Sequence, residues 1–290
     1  MKRAPIVFLI GIVALSSLVC GCRDEEDPEY LIDLMHDRPW REHALKAISE
    51  IFSKTMQENE NNLDHPKVKE LVNVLVPGLI DGFRKFDRDK FNRTEIIKLL
   101  AQMRDERSVE VFMDGLNLED TADSMMFEVS SNALKRQKVE RALPKLLDAF
   151  DLCVQSRDRR PGAPFTNSEN TIVQAVISST VSIADDNPAS AHKARLVEML
   201  VQITDTSDLL QELRLNMKAM KGLGRLGDPA GIPALVRGIA MKGERQPIGL
   251  GQIAFAALQQ IHDRDAVVDA IIKFGNGKDE EFNKYYEKER

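Results

Sequence analysis

Four stretches of this chain align on one another without a gap: IIKLLAQMRDERSVEVFMDGL from Ile96, SSNALKRQKVERALPKLLDAF from Ser130, AMKGLGRLGDPAGIPALVRGI from Ala219 and AFAALQQIHDRDAVVDAIIKF from Ala254. One column reads Leu100, Leu134, Leu223 and Leu258, and the column before it reads Leu99, Ala133, Gly222 and Ala257. Leucines beside mostly small residues imply a close helix crossing. Further on, Val109, Leu143, Ile232 and Val267 share a column, then Phe112, Leu146, Leu235 and Ala270, then Leu116, Phe150, Ile239 and Phe274. Steps of three and four residues put each triplet on one helical face. The copies at Ile96 and Ser130 begin 34 residues apart and those at Ala219 and Ala254 begin 35 apart, a period of helix-pair solenoids. A pair of this kind cannot bury its apolar faces alone, so the repeat constrains the chain to a stack.

Between the paired helices the turn column reads Asp105, Val139, Asp228 and Asp263, with Pro229 after Asp228. Aspartate accepts from the free amides of a helix start, and proline has no amide to leave unpaired there. Recurrence at one cap position marks these carboxylates as structural. Aromatic residues make up only 6% of the chain, and no stretch alternates strong β formers over a useful length, so helices must carry the fold.

Other segments read as degenerate pairs: 28–36 with 39–57, a long helix over 66–86, and 170–184 with 189–203. A final helix around Phe282, Tyr285 and Tyr286 would cap the stack. Residues 58–65 and 155–169 read as loops, and the second combines Arg157, Arg159 and Arg160 with Pro161, Gly162, Pro164 and Phe165. That loop is expected to be a mobile insertion, with contact to an anionic partner as the alternative. KGERQP from Lys242 is an ordinary short loop.

The segment LGRLGDPAGIPALVRGI resembles the HEAT-repeat family, especially its bacterial short form with a Gly-Asp-Pro turn; the other three copies lack the Gly or the Pro. The resemblance implies an all-α chain, an α-α superhelix of about six to seven helix pairs over residues 29–290.

The chain opens MKRAPIVFLIGIVALSSLVCGC, with Lys2 and Arg3, an apolar run from Ile6 to Leu18 and small residues before a cysteine. This is the pattern of an export signal, over residues 1–21. The apolar run is shorter than the roughly 20 residues that span a bilayer as a helix, which disfavours an uncleaved anchor. The segment Val19-Cys20-Gly21-Cys22 resembles the lipobox of bacterial lipoproteins, with Cys20 standing where Ala or Ser is commoner. The resemblance implies lipid attachment at Cys22 and anchorage in the bacterial cell envelope. Arg23, with no Asp after the cysteine, points to the outer membrane under an enteric-type sorting rule. Residues 22–28 would be a charged tether reaching roughly 20 Å, holding the body close to the membrane.

The formal net charge is -6, and removing Lys2 and Arg3 with the signal leaves 38 basic against 46 acidic side chains, or -8. Such a balance disfavours nucleic acid, whose affinity rests on neutralising phosphates. With Cys22 lipidated and Cys20 removed, Cys153 stands alone, read as a small buried hydrophobe. His36, His43, His65, His192 and His262 show no zinc spacing, and His36-Asp37 and His262-Asp263 read as a helix end followed by the next helix start. Gly222, Gly224 and Gly227 are spaced G-x-G-x-x-G without the preceding strand a dinucleotide site needs. Glu25-Glu26 and Asp185-Asp186 fall in tether or loop, and Met125, Met126, Met217 and Met220 read as core filler.

The residues therefore offer no catalytic, cofactor or metal site. The expected function is a non-catalytic, membrane-anchored scaffold or adaptor that binds a protein or peptide on the solenoid surface. A lipid or small-molecule carrier is the alternative. A bilin-lyase-like HEAT enzyme is a further one, set against an export signal that would remove the chain from the cytoplasm.

Overall fold

The computed structural model describes residues 27–86, 88–118, 124–187, 189–204, 209–240 and 249–275. Among the described residues there are thirteen α-helices, three short 3-10 turns and no strand, so the protein is all-α. The chain divides into two compact units between Ser108 and Val109.

The first unit holds α1 (Pro28–His36), α2 (Arg41–Glu58), α3 (Pro66–Lys85) and α4 (Lys90–Met103). Asp27 caps α1 by accepting from the Glu29 amide at 3.0 Å, and Pro28 and Pro66 open their helices where no amide is needed. Helix α1 packs on α2 and on α3, and α4 packs on α3 and on α2. Gly78 and Gly82 let α1 approach α3, for a Cβ at Gly78 would overlap Ile32, and one at Gly82 would lie 2.6 Å from Met35 Cε. Leu31, Met35, Ile48, Leu79, Phe83 and Leu100 form the buried interior. Arg41 ties the helix ends together: it donates to the Met35 carbonyl at 3.2 Å, pairs with Asp89 at 2.9 Å and lies 3.6 Å over the Phe86 ring.

The second unit holds α5 (Val109–Gly115), α6 (Ser124–Arg136), α7 (Leu143–Asp158), α8 (Asn167–Asp185), α9 (Lys193–Thr204), α10 (Leu209–Leu226), α11 (Ile232–Ala240), α12 (Leu250–Leu258) and α13 (Arg264–Gly275). Helices α6, α8, α10 and α12 form one row, each packed on the next; α7, α9, α11 and α13 form a second row, and α7, α9 and α11 each also pack on the following first-row helix. This is the two-row stacking of an α-α solenoid.

The aligned columns are core within each unit, save Val109 and Ala270, which are half-buried. Leu100, Leu134, Leu223 and Leu258 are all buried, as are Leu143, Ile232 and Val267, and Phe112, Leu146 and Leu235. The Phe274 side chain lies outside the described residues. Small residues in the preceding column bring helices close: a Cβ at Gly222 would lie 2.9 Å from Val181 Cγ2. Gly224 is tighter still, since its Cβ would meet the Ala257 backbone at 2.7 Å.

Three turn aspartates cap as their column implies. Asp105 accepts from the Arg107 amide at 2.9 Å, Asp228 from Ala230 at 3.0 Å and Asp263 from Ala266 at 3.0 Å. In the first three copies a 3-10 turn intervenes before the second helix: Glu106–Ser108, Glu140–Ala142 and Pro229–Gly231. The residue before the cap column is left-handed in the same three copies, with φ of 54° at Arg104, 56° at Lys138 and 60° at Gly227. The turn thus needs positive φ even where glycine is absent.

Several expectations are corrected. Residues 155–158 continue α7, because Cys153 and the turn before it keep the helix anchored in the core, and the helix expected from Ala189 begins at Lys193. Asp37 ends α1 rather than starting α2, which Trp40 precedes without a side-chain cap. Met126 and Met220 are core, whereas Met125 is 57% exposed. The final helix around Phe282, the Lys242 loop, the export signal and Cys22 lie outside the described residues.

Arg104→Gly should stabilise the protein by about 0.5–1 kcal/mol by removing left-handed strain. Gly224→Ala should cost about 1–3 kcal/mol through backbone overlap with Ala257. Thermal and urea denaturation of both variants checks the pair; equal midpoints would contradict this reading of the turns and the crossing.

Candidate functional site

The residues that chemistry could recruit are dispersed. Among the described residues no group of three His, Cys, Asp or Glu side chains could hold a metal ion. His36 ends α1 beside Asp81 at 3.4 Å and stacks edge-on to Phe86, while His43 stacks edge-on to Trp40 at 6.1 Å between ring centroids. Cys153 is buried on α7, and that burial pushes its thiol up to about 12, so it stays protonated and inert at neutral pH. Asp185 and Asp186, at the end of α8, pair with Arg225 and Lys138.

The arginine-rich segment after α7 is ordered, contrary to the expectation of a mobile insertion. Arg160 reaches both oxygens of Glu169, at 2.8 and 2.6 Å. The same carboxylate accepts from the Thr166 amide at 2.7 Å, and the Thr166 hydroxyl accepts from the Glu169 amide at 3.2 Å, a reciprocal capping box that starts α8. Burial works to raise the Glu169 pKa, but hydrogen bonds from Ser156, Thr166 and Arg160 outweigh it and hold the carboxyl below its ordinary value. Arg157 lies 4.7 Å over the ring of Phe165, itself buried. The charge of Arg160 is therefore spent inside the fold. Only T-x-x-E at Thr166 and Glu169 signals this in the sequence.

The first unit carries a groove between α2 and α4. Glu42, Lys46 and Ser49 line it from α2 at spacings of four and three, and Glu95, Lys98 and Gln102 from α4 at three and four, so each set occupies one helical face. The groove encloses 520 Å³, with buried Leu45 and Leu99 among its lining residues. Phe91, which lines it, is 62% exposed, and Trp40, stacked on the lining residue His43, is 53% exposed. Lys98 and Glu95 pair at 2.7 Å. The walls thus alternate charge with apolar surface and present no nucleophile held against a base. Phe91 lies on the side of α4 opposite Ile96 and Leu100, and that misplacement, together with the single Trp of the chain, was the signal available in the sequence.

Among the described residues no helix is long and apolar enough to cross a membrane. Residues 217–240 match the family described as PBS lyase HEAT-like repeat. These residues lie on α10, the Pro229–Gly231 turn and α11, the copy with the Gly-Asp-Pro turn. A comparison with curated proteins finds no match.

Arg160→Ala should cost about 2 kcal/mol, below the range for a fully buried pair because water reaches part of Arg160. Glu169 has its folded pKa lowered, so its contribution is complete above the unfolded value of about 4.3 and is lost as pH falls through the folded one. Glu169→Gln should accordingly flatten the acid limb of stability against pH, measured by urea midpoints; an unchanged limb would show that the bridge contributes nothing.

Proposed function

We propose that this HEAT-like helical repeat protein is a lipid-anchored scaffold of the bacterial cell envelope, attached through Cys22, that holds a protein or peptide partner and catalyses no reaction. The observation that carries the binding reading is the exposure of Phe91, which lines the groove, and of Trp40, stacked on the lining residue His43. Large aromatic side chains left in water beside a groove with an apolar floor are what partner hot spots use, because their burial yields much contact area for few lost rotamers. The mixed charge of the walls, from Glu42, Lys46, Glu95 and Lys98, suits polypeptide better than an acyl chain, which favours an enclosed apolar cavity.

The anchor reading rests on Lys2 and Arg3, the apolar run and Val19-Cys20-Gly21-Cys22. Helix α1 begins at Pro28, so a tether from Cys22 would hold the groove-bearing unit within roughly 20 Å of its attachment point, before adding the unit's own size. The name of the matching family refers to a lyase, but the match spans one helix pair and supports the repeat, not the reaction.

Intact mass of the membrane-extracted protein should match cleavage before Cys22 plus acyl chains, and Cys22→Ser should lose both. An unlipidated soluble chain would end the anchor reading. Separately, a photo-crosslinking residue at position 91 should yield a discrete protein adduct in living cells, cut about tenfold by Trp40→Ala. Adduct formation equal to that from position 54 on α2 would end the scaffold reading.

A further inference from the structure

In the second unit, α8 has an uncharged outward edge: Gln174, Ser178 and Ser182 recur at intervals of four along it. Cations from both flanking first-row helices lean onto that edge. From α6, Lys135 donates to the Ser178 hydroxyl at 3.0 Å, and Lys138 just beyond it donates to Ser182 at 3.4 Å. From α10, Lys218 donates to the Gln174 side-chain carbonyl at 2.8 Å. On α10 itself Arg214, Lys218, Lys221 and Arg225 are spaced four, three and four residues, which puts all four on one solvent-facing stripe.

Charge balance differs along the strip. Lys138 is paired with Asp186 and Arg225 with Asp185 at one end. Lys135, half-buried, and Lys218, exposed, lie farther along and have only neutral hydrogen-bond acceptors. The Lys135 pKa is lowered first by burial and then by the charges of Arg136, Lys218, Lys138 and Arg225, with no carboxylate acting to restore it. Lys218 is lowered by burial, with Glu128 raising and Arg214 lowering it. On a chain with net charge -6, cations gathered on one strip with hydroxyl and amide acceptors between them make a local site of positive potential that an anion can approach.

We propose that the strip along α8, walled by Lys135 on one side and Lys218 on the other, binds an acidic, carboxylate-bearing segment of a partner protein. Residues of an extended segment lying along α8 would present carboxylates alternately to the two walls, and Ser178 and Ser182 could hydrogen-bond its backbone or side chains. A polypeptide segment, whose carboxylates can be spaced to meet Lys135 and Lys218 while uncharged residues lie beside Asp185, Asp186 and Glu128, fits better than nucleic acid, whose phosphates form an unbroken row. It also fits better than a bilayer surface, which those same carboxylates would face. The proposal names the partner chemistry for the scaffold reading and rests on it, but at a surface separate from the aromatic groove.

The test titrates the full chain in non-ionic detergent with a fluorescein-labelled glutamate peptide, a 15-mer in which glutamate alternates with serine, the corresponding lysine peptide, a single-stranded oligonucleotide and short-chain phosphatidylglycerol, read by anisotropy or competition. The glutamate peptide should bind saturably and weaken as salt rises. Lys135→Glu with Lys218→Glu should cut that affinity about tenfold or more, while Lys69→Glu on α3 should not. Lys135→Met should also weaken binding yet leave thermal stability unchanged or higher, an outcome that a purely structural lysine would not give. The proposal is overturned if the glutamate peptide binds no better than the lysine peptide, if the charge reversal leaves its affinity intact, or if only oligonucleotide or lipid binds through these lysines. Because the peptide assay needs neither acylation nor position 91, its failure leaves the anchor and the groove to their own experiments.

Discussion

Each helix pair in this protein has more apolar surface than it can cover, and the stack follows from that shortfall. Leu223 is wholly buried on α10, which has α8 and α12 against its two sides, and Leu134 on α6, which packs on α5 and α8. The close approach depends in turn on the missing side chains of Gly222 and Gly224. With Ala257 backbone 2.7 Å from where a Cβ would sit, α10 and α12 meet at a distance that only glycine permits. The turns serve the same geometry. A left-handed residue reverses the chain, and an aspartate or a 3-10 turn starts the second helix, so each pair presents its leucine to the next at the same depth.

With the apolar columns inside, charge is left to link copies at the surface. Ion pairs and polar contacts join residues 40 to 48 positions apart, roughly one copy to the next: Arg225 with Asp185, Arg195 with Asp148, Lys218 with Gln174. Most are exposed and each contributes little on its own. The Glu169 bridge differs because its carboxylate is 1% exposed and accepts several donors at once, which makes it a fixed joint at the start of α8. Against these pairings, Lys135 stands out as a partly sunk cation whose neighbours are cations.

Much of this fold was legible because its signals recur. The leucine column, the small-residue column and three turn aspartates could be read off the alignment, and the structure buries or caps each as expected. What escaped depends on contacts without period. The arginines after α7 looked available because nothing in one dimension shows Glu169 folding back onto Arg160, although Thr166 and Glu169 held the cap spacing. The groove between α2 and α4 was invisible for the opposite reason, since Glu42, Lys46, Glu95 and Lys98 look like any solvated helix face until the two helices are set side by side. Trp40 and Phe91 stand off the apolar stripe, a signal that one dimension does carry.

The two surfaces make different demands on the same architecture. Because side chains at core columns are fixed by stacking, outward positions such as 174, 178 and 182 on α8 or 42, 46 and 49 on α2 can change with little effect on burial. A residue that keeps a half-buried charge or an exposed ring at such a position takes less of its reason from the core than the buried columns do. Lys135 is in that situation, and the exposed ring of Phe91 is its apolar counterpart. Removing either should leave the helices where they are, so binding through them can be separated from folding. That separation is what allows a repeat scaffold to acquire a partner without rebuilding its core.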